Sequence, residues 1–130
     1  LAANIGYLGI PTSIFTKGEI NPFDKNKINA HTFIGSKMLK DATVLDLEDD
    51  ILMYHHENMD GSGYPRGLKG GDIPLGARAL RVVDTYNAIT TPRLYRFQFD
   101  QEQALRELFS MSGKSLDPEI TSLFVDLIGF

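Results

Sequence analysis

The 130-residue chain carries three histidines, and none of them falls in an exposed polar run. His31 sits on the apolar face of a helical pattern beside Ile28 and Ile34, while His55 and His56 are adjacent and followed by Glu57. Asp84 lies in an otherwise apolar segment, one turn after Leu80 and one turn before Ala88. A carboxylate among apolar side chains is costly unless it is paired or bound to metal. Three neutral imidazoles and one carboxylate, projecting inward from different parts of a helical core, have the makeup of a divalent-metal site. Periodicity alone fits a structural polar cluster equally well.

Two further segments offer ligand contacts. The loop Asp60-Gly61-Ser62-Gly63-Tyr64-Pro65-Arg66-Gly67 combines glycines, which permit positive φ and close backbone approach, with a stiffening Pro65. It lacks the lysine pattern of a phosphate loop, and no strand is predicted before it. Arg93-Leu94-Tyr95-Arg96 sets two arginines three apart around a tyrosine, a pattern able to grip a phosphate and stack on a base. A solvated basic turn has the same composition.

Helices must position these residues. The opening apolar segment ends in a turn at Gly9-Ile10-Pro11, because proline disfavours helix in the residue before it. Asn21 is a predicted helix cap with Pro22 at the first helical position. Ile28, His31, Ile34, Gly35 and Met38 then follow at spacings of three and four, which places them on one face of a single helix. Leu45, Leu47, Ile51 and Leu52 lead a second helix toward His55. Residues 60–75 hold five Gly and two Pro and read as a loop. A third helix is predicted from Gly76 to about Ile89. Asp100 and Gln103 form a capping box for a fourth, and Asp117-Pro118-Glu119 starts a last one. Sustained period-two alternation is absent, so the expected fold class is all-α with one long glycine-rich loop.

Composition narrows the chemistry. An apolar fraction of 42% supports a hydrophobic core in one domain spanning 1–130. A net charge of −4 argues against a groove for long nucleic acid, though not against a small phosphate ligand held by local arginines. With no cysteine, metal ligands would be His, Asp or Glu, and the composition fits a reducing compartment such as the cytoplasm. No apolar run reaches the roughly 18–20 residues of a membrane span. The chain opens on Leu1 inside an apolar run, which predicts an excised fragment lacking its N-terminal helix or helices.

Taken together, these segments resemble the HD-GYP family, bacterial phosphohydrolases that hydrolyse cyclic di-GMP. The resemblance runs from Asn4-Ile5-Gly6 and Gly9-Ile10-Pro11 through Ala30-His31, Ile34-Gly35 and His55-His56-Glu57. It continues through the loop 60–70, Ile73-Pro74-Leu75, Ala77-Arg78, Val83-Asp84, Ala88-Ile89-Thr90, and Arg93 with Tyr95-Arg96. It implies a helical HD-domain bundle around two or three metals, often iron or manganese. By that resemblance the metal ligands are His31, His55, His56 and Asp84, the phosphate-gripping arginines are Arg93 and Arg96, and Gly63-Tyr64-Pro65 is the GYP triplet. Tyr64 and Pro65 would contribute to substrate binding. The partners implied are cyclic di-GMP or a related nucleotide, and a protein such as a diguanylate cyclase domain docking on the GYP loop.

The departures concentrate in the chemistry. Where the family has His-Asp-Ile-Gly-Lys, this chain has Ala3-Asn4-Ile5-Gly6-Tyr7. Alanine has no ligand atom, and asparagine offers only a neutral carbonyl where the family's aspartate bridges the metals. Tyr7 replaces a lysine that helps orient phosphate or water. Asn87 stands where many members have a second aspartate, and Tyr54 where a further histidine often precedes the pair. The expectation is a signalling domain of the cyclic di-GMP pathway with hydrolysis lost or impaired, holding one ion rather than two or three. It would act as a nucleotide sensor or docking module. The alternative is an active metal-dependent cyclic di-GMP phosphodiesterase.

Overall fold

The structure, a computed structural model, describes residues 2–41, 49–91 and 99–128. A 3-10 helix over Ala2–Gly9 leads through a short 3-10 turn at Thr12–Ile14 into six α-helices. These are α1 (Pro22–Asn29), α2 (His31–Asp41), α3 (Asp49–Tyr54), α4 (Leu75–Thr90), α5 (Gln101–Met111) and α6 (Pro118–Leu127). Among the described residues there is no strand, only one isolated bridge between Ser112 and Leu116. The all-α expectation holds.

Local capping explains several boundaries. The Asn21 side chain accepts from the Asp24 amide at 2.8 Å and Pro22 takes the first helical position of α1. Asp100 and Gln103 form a reciprocal box at the start of α5. Asp117 caps α6 through the Glu119 and Ile120 amides, and also accepts from the Arg78 guanidinium of α4 at 2.6 Å. Burial pushes the Asp117 carboxyl up, but those amides and Arg78 outweigh it and hold the group below the ordinary carboxylate range.

One expectation is corrected. The pattern 28–38 is not a single helix, because the chain breaks at Ala30 between α1 and α2. The Ala30 amide is shared between the carbonyls of Asn26 and Lys27, which tightens the turn, and the Ile28 carbonyl accepts from the His31 ring. The buried face of α2 is consequently His31, Thr32, Gly35 and Ser36, while Met38 is largely exposed. Its small residues serve a close crossing. A Cβ on Gly6 would lie 1.7 Å from the His31 carbonyl oxygen, and one on Gly35 would lie 3.2 Å from the Gly6 nitrogen. Glycine at position 6 therefore lets the first 3-10 helix run directly over the start of α2. Leu45 and Leu47, expected to lead the helix before His55, lie outside the described residues.

The main apolar core is built between α4, α5 and α6, from Val82, Ile89, Ala104, Leu105, Leu108, Leu116 and Val125. Helix α4 is shared, packing on α3 as well. It thus ties this core to the half of the molecule that carries the histidines.

Candidate metal centre

Two chain segments bring the histidines together. His31 is the first residue of α2, and His55 and His56 follow the last turn of α3. Their rings pack mutually, with centroids 5.6 Å apart for His31 and His55, 5.0 Å for His31 and His56, and 4.2 Å for His55 and His56. One ring nitrogen from each lies within 4.8 Å of the others. His31 and His55 are fully buried, and the Nε2 atoms of all three rings are buried without a hydrogen-bond partner.

Backbone carbonyls set the tautomers of two of these rings. His31 Nδ1 donates to the Ile28 carbonyl at 2.8 Å, and His55 Nδ1 donates to the Leu52 carbonyl at 2.7 Å. A carbonyl only accepts, so the proton sits on Nδ1 and Nε2 keeps its lone pair. Burying such a nitrogen with nothing to pair with is unfavourable unless a cation or water meets it. Backbone-oriented imidazoles of this kind are the ordinary support of metal ligation. His31 and His55 therefore fit a divalent cation.

His56 differs. Its Nδ1 lies 3.2 Å from Arg81 Nη1, and a guanidinium can only donate. The single proton of neutral His56 then resides on Nε2, where a metal ligand needs a lone pair. Burial pushes all three histidines below their ordinary 6.5, with His56, also beside His55 and Arg81, lowered to about 3. All three are neutral at physiological pH.

Asp84, on α4, is half-buried and stands outside the 4.8 Å set, while its negative charge acts on His31, His55 and Arg81. It lines a cavity of about 570 Å³ together with His56, Arg81, Asn4, Tyr7 and Asn87. Three of the four chemically significant departures thus open on one space. Ala3 lies in the 3-10 helix that carries Asn4 and Tyr7. The Tyr7 ring is stacked on the His31 imidazole, with centroids 4.1 Å apart and planes 11° apart.

The glycine-rich loop is anchored from beneath. Glu57 is 2% exposed, and its carboxylate accepts from the Arg66 amide at 2.6 Å and the Leu68 amide at 3.0 Å. Gly63 lies so close to the 56–58 backbone that a Cβ there would come within 2.4 Å of the Asn58 nitrogen. Asp60 closes the turn by accepting from the Ser62 amide and hydroxyl. The Tyr64 ring stacks on His56 at 5.0 Å, and burial raises its hydroxyl to about 12. Tyr64 and Pro65, joined by a cis peptide bond, line a separate recess of about 260 Å³ with Asn26, Thr32 and Phe33. Arg93 and Arg96 lie outside the described residues.

Two residues at the site escaped the motif reading. Arg81 interrupts an apolar helix three residues before Asp84, which was a readable signal. Glu57 was visible as part of His-His-Glu, but its backbone partners are nine and eleven residues away.

The description "HD domain" belongs to the family model that matches residues 1–120. The chain belongs to the HD domain family. Its intact GYP loop places this HD domain in the HD-GYP branch, in agreement with its relatives. A cyclic di-GMP phosphodiesterase of Thermotoga maritima is 39% identical over 95% of the chain. A cyclic di-GMP phosphodiesterase response regulator of Xanthomonas campestris is 34% identical over 88%. A 3'3'-cGAMP-specific phosphodiesterase of Vibrio cholerae is 29% identical over 95%. The HD domain spans only 34%, 31% and 24% of the lengths of these relatives. No helix among the described residues is long and apolar enough to cross a membrane.

Proposed function

We propose that this HD domain is a signalling module of the cyclic di-GMP pathway that recognises the nucleotide, or docks a protein through its GYP loop, with hydrolysis lost or severely weakened. The observation that carries the reading is the wall of the cavity. Asn4, Tyr7 and Asn87 face it beside His56 and Asp84, and the resemblance puts ligands or charged groups at all three positions. The named activities of the relatives supply the substrate class.

His31 and His55 would hold a single ion, iron or manganese, through Nε2, with Asp84 as the available carboxylate. Such an ion supplies Lewis acidity toward a phosphoryl oxygen. Phosphodiester hydrolysis at a two-metal centre also needs an anionic bridge to offset the second cation's charge. The Asn4 carboxamide is neutral and Ala3 contributes no donor. Tyr7 covers one face of His31 with an aromatic ring. The protein side of the site therefore retains shape, stacking surfaces and a nucleotide-sized cavity, while the charge pattern that activates water is gone.

A second reading, an active phosphodiesterase, is favoured by the bare Nε2 atoms of His31 and His55 beside Asp84. Incubating the purified protein with cyclic di-GMP and added iron or manganese separates the two. We expect micromolar binding without linear product. Turnover abolished by His55→Ala would overturn the proposal.

A further inference from the structure

Among the described residues, Arg81 is the charged group that touches the histidine cluster through a hydrogen bond, and it does so as a cation. Its Nη1 donates to His56 Nδ1 at 3.2 Å and its Nη2 to the Asn58 carboxamide oxygen at 3.1 Å. Its Nε is buried and has no partner. Among the described residues no carboxylate lies within ion-pair distance of this guanidinium, because Asp84, three residues on along α4, acts on it only at longer range. A part-buried guanidinium with no carboxylate partner is unfavourable unless something in the fold requires it there. Here its partners are an imidazole and an amide, both neutral.

We infer that Arg81 is a built-in cation that opposes divalent-metal loading of the histidine cluster. It does so in two independent ways. As a pure donor it fixes the proton of His56 on Nε2, which removes one of three imidazoles from the ligand set. As a positive charge beside the same ring nitrogens it repels a second cation brought to them. Metal entry through all three histidines therefore requires the guanidinium to leave His56 and Asn58. The inference rests on the reading of His31 and His55 as the metal-holding residues, with His56 as the third imidazole that Arg81 withholds, and it needs no assumption about the nucleotide.

Cobalt(II) alone is the probe, titrated in chelator-buffered solution and read by its visible absorption, with the wild type compared to Arg81→Met and Arg81→Lys. Methionine keeps the apolar stem and removes the charge. Lysine keeps the charge and loses the planar fork. The expected result is weak loading of the wild type, affinity at least roughly tenfold tighter in Arg81→Met, and a smaller gain in Arg81→Lys. Equal affinity in wild type and Arg81→Met, with loading lost on His55→Ala, would overturn the inference and leave the metal-holding reading intact. Failure of every form to load would overturn both. Nitrogen-15 shifts of the metal-free wild-type rings decide the matter without any variant. The inference expects the proton on Nδ1 of His31 and His55 but on Nε2 of His56, and a proton on His56 Nδ1 would contradict it.

Discussion

The Tyr7 ring lies flat against the His31 imidazole, centroids 4.1 Å apart, at the position where the HD-GYP resemblance places a lysine. The substitution is therefore more than a lost charge, because the aromatic ring has become part of the packing around a buried histidine. Aromatic stacks add about 0.5–1.5 kcal/mol beyond area burial. Tyr7→Ala should lower stability by about 2 kcal/mol in urea denaturation. An unchanged midpoint would show that the stack is not used.

Glu57 holds the GYP loop by two backbone amides from inside the fold. Glu57→Ala leaves both amides without an acceptor, at a cost of about 3 kcal/mol, and Glu57→Gln restores one acceptor and costs about half of that. Hydrogen exchange should accelerate at the Arg66 and Leu68 amides in both variants, more strongly with alanine. Protection equal to wild type in Glu57→Ala would refute the anchor.

Gly6→Ala should be among the most damaging single changes in the domain. The added Cβ would sit 1.7 Å from the His31 carbonyl oxygen, a backbone atom with no rotamer to yield. The first 3-10 helix must then lift from α2, at a cost of about 3 kcal/mol. A second consequence is a shift of the His31 ring resonances, since that crossing fixes the start of α2. Wild-type stability in Gly6→Ala would disprove the close crossing.

The buried histidines also predict a pH dependence for the metal-free protein. Each has a folded-state pKa below its ordinary 6.5, so the unfolded chain binds more protons as pH falls through that value. Stability is then full above about pH 7 and declines from about pH 6.5 downward, with a slope of about 1.4 kcal/mol per pH unit from His56 and a further contribution of the same sign from His31 and His55. Urea midpoints measured with chelator at pH 7.5, 6.5 and 5.5 should fall in that order. Equal midpoints at pH 7.5 and 5.5 would mean that the rings are protonated in the native state.

Local signals and tertiary ones differed sharply in legibility. The caps at Asn21, Asp100 and Asp117 could be read from neighbouring residues because each is completed within three positions. His31, His55 and His56 were readable as a set, and they do converge. The break at Ala30 was not readable, since the spacing of Ile28, Ile34 and Met38 continues unbroken through it. At the break the Ala30 amide is shared between Asn26 and Lys27 and the Ile28 carbonyl accepts from the His31 ring, beside the close crossing of Gly6, a contact some 25 residues away in sequence. Arg81 was visible in the sequence as a charge in an apolar helix, but its partners, His56 and Asn58, are brought to it only when α3 packs on α4. Asp84, expected among the ligands, lies on the cavity wall outside the histidine set.

We propose that the residues at positions 3, 4 and 7 leave hydrolysis lost or severely weakened. This is tested most directly by measuring cyclic di-GMP turnover, with manganese or anaerobic iron, in wild type and in the triple variant Ala3→His, Asn4→Asp, Tyr7→Lys. The account predicts no linear product from the wild type and measurable turnover from the variant, lost again on His55→Ala. Robust turnover by the wild type, abolished by His55→Ala, would contradict it.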